Sequence, residues 1–541
     1  MKFLNSIFDK PYSLLKFAVL LGGCLTIIVL INPVLFRDSV NYIASVNAVW
    51  LQNWHTAFNI TYVPFLFVTA SCFKLIGLNA LQSLTLLSSL LAICTLFPAY
   101  RILSSFMDRK AAAWGSILFF LSSPVMDCSF APLTDSGRFF FMLASLMIII
   151  DFIKSEKKIL LVLLGVVYTF FALTRSEGIV FVGLISLWFF IELLRKDRCW
   201  KEWKKCCADL WLVVIPLLLM LILLLPRLWQ MMSETGFPAL DTRQTWAIKA
   251  FLNKIFPDFV PTDSSIITYG SNMNYHSFWT DTQWHCRYWR NFFTGNWFPY
   301  TAFSIIGFYR IIRDKQWHHF HTLFCVFVVV NAFIYMLMRS CAGRYFLINT
   351  FFLMPFTIYG ITFVWQKVLA MCSIKWRQQL TTFLPCFMAV IVIALFCKGI
   401  AQSFSSKTSH YPIIGKFMKG QVQTGEFRSQ SKYPVYFILG SNYGWGVFCN
   451  GNEIVYSPHF NIQEKFSIEY ILQSGLPSEY CSFAVENLKD LKILKPDYVI
   501  DSRKKRNFSV ECLNMLEPIP QKISNRVDIY RVKDANEQAV K

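Results

Sequence analysis

Residues 159–196 read ILLVLLGVVYTFFALTRSEGIVFVGLISLWFFIELLRK, two apolar stretches, 159–174 and 178–194, interrupted only by Arg175-Ser176-Glu177. Each stretch is near the length a bilayer core demands, and the charged triplet between them marks the tip of a membrane hairpin. The same pattern recurs outward at 15–36, 80–100, 112–131, 136–153, 208–226, 296–312, 321–338, 345–366 and 380–400, giving about eleven spans. With 55% hydrophobic and 17% aromatic residues, the 541-residue chain is too apolar to be soluble at this length. Residues 1–404 are therefore expected to form an all-α polytopic membrane domain with outer loops 37–79 and 227–295. Beyond them the composition turns mixed and polar, and 405–541 is expected to be a small soluble α/β domain. In it, Lys495-Pro496-Asp497-Tyr498-Val499-Ile500 and Asp528-Ile529-Tyr530-Arg531-Val532 read as strands bounded by turns.

The net charge of +20 does not point to nucleic acid, because Lys and Arg gather in short clusters between apolar segments instead of on one face. Such clusters mark cytoplasmic loops. Lys2, Lys10 and Lys16 place the N-terminus in the cytoplasm. Arg101 with Arg109 and Lys110, Lys154 with Lys157 and Lys158, Arg195 through Lys205, Arg310 with Arg313 and Lys315, and Lys367 with Lys375 and Arg377 follow it there only if 62–78 does not cross. That segment is apolar but contains Pro64 and Lys74, so it is expected to be re-entrant or interfacial, and the C-terminal domain to lie outside. The first apolar segment lacks a small-residue cleavage site and reads as a retained helix. Sixteen cysteines without any C-x-x-C pair, several inside apolar segments, read as small buried hydrophobes.

With this topology, Asp38, Thr134-Asp135, Thr174-Arg175-Ser176-Glu177 and Arg344-Tyr345 all fall at outer ends of spans. Ionisable groups at that depth usually face a cavity or one another. The sequence there resembles the GT-C glycosyltransferases, in particular bacterial relatives of protein O-mannosyltransferases and of the aminoarabinose transferases that modify lipid A. The resemblance rests on Arg37-Asp38 with Tyr42, Tyr62-Val63-Pro64 leading to Phe73-Lys74-Leu75-Ile76-Gly77, and Met107-Asp108-Arg109-Lys110-Ala111-Ala112. It continues with Ser122-Ser123-Pro124, Thr134-Asp135, Leu173-Thr174-Arg175-Ser176-Glu177-Gly178 and Gly343-Arg344-Tyr345-Phe346-Leu347. It implies a multi-pass protein of the bacterial inner membrane that takes a sugar from a polyprenyl-phosphate donor on the periplasmic face. The acceptor would be a lipid, glycan or protein. The usual acidic pair after the first span is here Asp38-Ser39, so no metal is assigned to that loop and no cofactor is expected.

Sugar transfer from a phosphate carrier needs a base for the acceptor hydroxyl and donors or cations for the departing phosphate. Asp38 is the candidate base, the alternative being a cap on the helix that follows. Asp135 is either a second catalytic carboxylate, orienting the acceptor or a basic group, or a helix cap. Arg138, one turn on, is its candidate partner or a snorkelling side chain. Arg175, steadied by Glu177, and Arg344 with Tyr345 are the candidate phosphate contacts. The alternatives are a self-neutralising Arg175–Glu177 pair and an arginine facing lipid headgroups. Arg37 and Tyr42 are supporting candidates. Trp229, Trp246, Tyr275, Trp279, Trp284, Tyr288, Trp289 and Trp297 read mainly as an interfacial aromatic belt. His276, Asp281 and His285 match no dedicated metal spacing. Competing functions are a lipid-linked glycan flippase, for which no internal repeat is visible, and a non-catalytic membrane scaffold.

Overall fold

The computed structural model describes residues 10–31, 37–50, 63–197, 203–241, 282–295, 298–337 and 343–373, a few residues beside these, and five strands between 436 and 532. Helices dominate: α1 (Pro11–Ile31), α2 (Arg37–Trp50), α3 (Phe65–Ser71), α4 (Ala80–Leu103), α5 (Arg109–Phe120), α6 (Ser123–Ser129) and α7 (Asp135–Ser155). They continue as α8 (Ile159–Thr174), α9 (Gly178–Asp197), α10 (Trp203–Thr235), α11 (Thr282–Gly295), α12 (Phe298–Arg313), α13 (His319–Leu337) and α14 (Leu347–Met371). Among the described residues seven helices are long and apolar enough to cross a membrane, or eight if α5 and α6, bent by 61° at their junction, form one broken span. The spans expected at 159–174 and 296–312 appear as α8 and α12, each of 16 residues and so below that length. The span expected at 380–400 lies outside the described residues.

The basic turn between α4 and α5 is a sequence-coded helix start. Asp108 accepts from the backbone N–H of Lys110 at 2.9 Å and of Ala111 at 3.4 Å, satisfying two of the first-turn donors. Segment 62–78 forms α3 and a 3₁₀ turn, Cys72–Ile76, closed by Gly77 in the left-handed conformation with φ 85°. Twelve helical residues reach about 18 Å at most in α geometry, well short of a hydrocarbon core of about 30 Å.

The segment expected as the outer loop 227–295 is in part helical. The helix of span 208–226 runs on as α10 to Thr235, and α11 occupies Thr282–Gly295. Leu228, Trp229, Met231 and Met232 continue the apolar content beyond Pro226, which is why the helix does not stop where the strongest hydropathy does.

By compactness the chain divides into two units, one of Met1–Leu25, Ser89–Ser129 and Thr134–Ile400, the other of Thr26–Ser88, Phe130–Leu133 and Ala401–Lys541. In the first, α12 and α14 cross backbone to backbone. A Cβ on Gly307 would stand 1.8 Å from the Phe356 carbonyl oxygen, and one on Gly360 2.0 Å from that of Phe303. The Ser304 and Thr357 hydroxyls meet at 2.7 Å beside this crossing, the small-residue packing that membrane helices use in place of hydrophobic drive. In the second unit α2 packs on α3 through the Tyr42 and Phe67 rings, 5.3 Å apart and stacked, while Lys74 Nζ donates to Asn47 Oδ1 at 2.8 Å.

The strands, also in the second unit, are β1 (Tyr436–Leu439), β2 (Ser482–Val485), β3 (Tyr498–Asp501), β4 (Leu516–Pro518) and β5 (Asp528–Val532), in the order β2-β1-β3-β5-β4. β1 pairs in parallel with β2 and β3, and β5 pairs antiparallel with β3 and β4. The sheet is therefore mixed, part parallel and part antiparallel. The two strands read from the sequence are β3 and β5.

Candidate active-site cluster

Three short pieces of the first unit bring charged side chains to one place. The first is the start of α7, where Thr134 precedes a helix whose first residue is Asp135. Thr134 makes no side-chain capping bond, and Asp135 is inside the helix, so neither acts as an N-cap. The second is Arg175-Ser176-Glu177, which links α8 to α9 outside both helices. It is tight: a Cβ on Gly178 would come within 2.8 Å of the Phe171 carbonyl oxygen. The third is the 3₁₀ turn Gly343–Phe346 ahead of α14.

Arg175 is the hub. Its Nε donates to Glu177 Oε1 at 2.6 Å, and its Nη1 to Asp135 Oδ1 and Thr134 Oγ1, each at 3.2 Å. Its guanidinium also lies 5.2 Å from the centre of the Tyr345 ring. Glu177 Oε1 takes a second bond from the Tyr335 hydroxyl at 2.5 Å. Burial alone would raise the Glu177 carboxyl, but the Arg175 and Arg138 guanidiniums and the Tyr335 hydroxyl outweigh it and hold it at about 2. The other oxygen of Asp135, Oδ2, is buried and has no hydrogen-bond partner among the described residues.

Arg138 neither partners Asp135 nor snorkels. It is 0% exposed, donates from Nη1 to the Tyr345 carbonyl oxygen at 3.1 Å and from Nη2 to Asn331 Oδ1 at 2.5 Å, and lies over the Phe181 and Tyr335 rings. Asp135 takes Arg175 instead, because Arg175 reaches it from the next hairpin while Arg138 is drawn to α13. Asn331 Nδ2 donates to the same Tyr345 carbonyl at 3.2 Å and to Asn349 Oδ1 at 3.0 Å. Arg344, partly buried, approaches the Tyr345 hydroxyl with Nη2 at 3.4 Å and covers its ring at 5.2 Å.

Of the residues marked in the sequence, Asp135, Arg138, Arg175, Glu177, Arg344 and Tyr345 thus share one network. Tyr42 is a packing residue between α2 and α3. Arg37 and Asp38 are the first two residues of α2, and their side chains lie outside the described residues. Sequence reasoning missed Tyr335, Asn331 and Asn349. The signal for Asn331 was an amide inside the apolar run of α13, which membrane helices rarely hold without a partner. The aromatic segment divides too. Tyr288 is fully buried in a cluster with Tyr335, Tyr345 and Phe346 and donates its hydroxyl to the Ala332 carbonyl, whereas Trp229 and Trp289 are exposed, as belt residues are. Among the described residues no group of three or more His, Cys, Asp or Glu side chains is placed to hold a metal; His276 and Asp281 lie outside them.

The described helices make this a multi-pass membrane protein, and its fold is the one that GT-C glycosyltransferase structures share. Two solved structures share that fold. ArnT from Cupriavidus metallidurans in the apo state superposes with a TM-score of 0.59 at 12% identity, covering 95% of this chain and 97% of that one. The Archaeoglobus fulgidus oligosaccharyltransferase tethered with an acceptor peptide containing the NVT sequon gives 0.50 at 12% identity, covering 92% of this chain and 69% of that one. No protein-family model matches the sequence, and no curated protein matches it.

Proposed function

We propose that the protein transfers a sugar from a polyprenyl-phosphate donor to a lipid, glycan or protein acceptor at the outer, periplasmic face of a bacterial inner membrane, with residues 405–541 as an outer domain. The observation that carries this reading is the Arg344–Tyr345 turn beside the buried cluster, where the partly buried guanidinium lies 5.2 Å from the centre of the Tyr345 ring. A sugar phosphodiester brings one negative charge, and its departing phosphate gains another as the bond breaks. A cation held against a rigid aromatic ring stabilises that developing charge.

In this reading Asp38 takes the proton of the acceptor hydroxyl as that oxygen attacks the anomeric carbon. The bond from that carbon to the phosphate oxygen breaks, and polyprenyl phosphate leaves beside Arg344, with Tyr345 and Arg175 nearby. Asp135 contributes through Oδ2, which has no hydrogen-bond partner among the described residues and is an acceptor atom suited to orient a hydroxyl. The assignment of Asp38 rests on the sequence resemblance, with Arg37 and Tyr42 as its neighbours on α2. Reconstitution with a synthetic polyprenyl-phosphate sugar tests it. Asp38→Asn is expected to abolish transfer with folding intact, and normal turnover would remove Asp38 as base.

A further inference from the structure

Arg138 presents a problem that the proposed chemistry does not solve. A fully buried guanidinium in a membrane domain is costly, and the hydrogen bonds of Arg138 go to a carbonyl and an amide, not to a carboxylate. Its Nε has no partner among the described residues. Glu177 offsets its charge without bonding to it, so the directed donors have a task of their own. The bonds show what that task is. Nη1 of Arg138 and Nδ2 of Asn331, from α7 and α13, converge on one acceptor, the carbonyl oxygen of Tyr345. Asn331 is itself clamped between Arg138, which donates to its oxygen, and Asn349 on α14, which accepts from its nitrogen. Two helices, α7 and α13, therefore meet at one backbone atom of a four-residue 3₁₀ turn, a conformation with weak hydrogen-bond geometry of its own, and α14 is tied to them through Asn331.

We infer that Arg138 and Asn331 are positioning residues, which fix the Gly343–Phe346 turn and so set where Arg344 and the Tyr345 ring stand, without themselves touching the donor. Arg138 acts as the crossbar and Asn331 as the relay that orients it. A charge in this role gives what an apolar contact does not, two directed donors of fixed spacing on one fork. The inference rests on the reading of Arg344 and Tyr345 as donor-phosphate contacts, and its test separates the two.

Asn331→Leu removes both the relay and one of the two donors to the turn. Asn331→Asp keeps the shape and the acceptor for Arg138 while losing the donor, and serves if the leucine variant does not fold. Two readouts are taken on the full-length protein in detergent or liposomes. The first needs no substrate: the rate at which trypsin cuts the Arg344–Tyr345 bond, expected to rise about tenfold as the turn loosens, from a loss of roughly 1.4 kcal/mol of local holding. The second is KM for a synthetic polyprenyl-phosphate sugar, expected to rise about tenfold while kcat changes less than about threefold. The rise should be absent when the variant is made on top of Arg344→Ala, because both changes act through one contact. Unchanged cleavage overturns the positioning role whatever the kinetics show. Faster cleavage with an unchanged KM upholds the positioning of the turn and rejects Arg344 as the phosphate contact.

Discussion

Tyr335 holds Glu177 and Tyr345 at once. Its hydroxyl donates to Glu177 Oε1 at 2.5 Å, and its ring lies nearly parallel to that of Tyr345, 4.6 Å between centres at 11°. One side chain on α13 thus ties the α8–α9 hairpin tip to the turn before α14, with the polar end serving the charge network and the flat face the aromatic one.

Tyr335→Phe separates the two tasks. The stack remains and the bond to a charged acceptor is lost, at a cost of about 1.5–3 kcal/mol. Thermal unfolding in detergent is expected to shift down. Tyr335→Leu, which also removes the stack, should shift it further, and equal effects of the two would mean that the ring contact contributes nothing.

Glu177 makes stability depend on pH. Its folded-state pKa lies below that of an unfolded glutamate, about 4.3, so its contribution is complete above that value and is lost as the pH falls towards about 2. Unfolding temperature should be flat in this respect between pH 7 and 5 and decline below 4. Glu177→Gln should be less stable at pH 7, by about 3–5 kcal/mol for a broken buried pair, and lack that part of the acid decline. A variant with an unaltered acid profile would contradict the assignment.

The two arginines differ in their expected effects. Arg175→Ala leaves two buried carboxylates without their cation and should lower stability and activity together. Arg344→Ala should leave unfolding nearly unchanged and weaken donor use, by about 10- to 100-fold for one charge-assisted contact worth 1.5–3 kcal/mol. Steady-state kinetics beside a melting curve distinguishes them, and the opposite pattern would exchange their roles.

Gly307→Ala tests the α12–α14 crossing. The added methyl meets the Phe356 carbonyl, a backbone atom that moves only with its helix, so the helices must part. A loss of about 1–3 kcal/mol or more is expected. Gly183→Ala, where a Cβ meets nothing within 4 Å, is the matched control and should be neutral or slightly stabilising.

The helical architecture was legible because apolar length and interrupting charge are local properties, and α7, α8 and α9 stand close to where residues 136–153, 159–174 and 178–194 place them. The membership of the cluster was legible for the same reason: Asp135, Arg175 and Arg344 are charges where charges are expensive. Their pairing was not. Arg138 lies one turn from Asp135 on the same helix face, and only the packing of α13 shows that Arg138 belongs to Asn331 and the Tyr345 carbonyl. Tyr335 and Tyr288 were hidden among other aromatics, since composition does not tell a buried ring from a belt residue.

The three-residue link between α8 and α9 also bears on how the chain is made. A helix of 16 apolar residues is a poor independent unit for insertion, and the close approach at Gly178 joins it to its neighbour as one hairpin. In the proposed orientation the tip of that hairpin must be carried through the bilayer during biosynthesis. Because Arg175 and Glu177 travel side by side, the tip crosses with no net charge, and the pair that later organises the cluster first lowers the barrier to its own delivery.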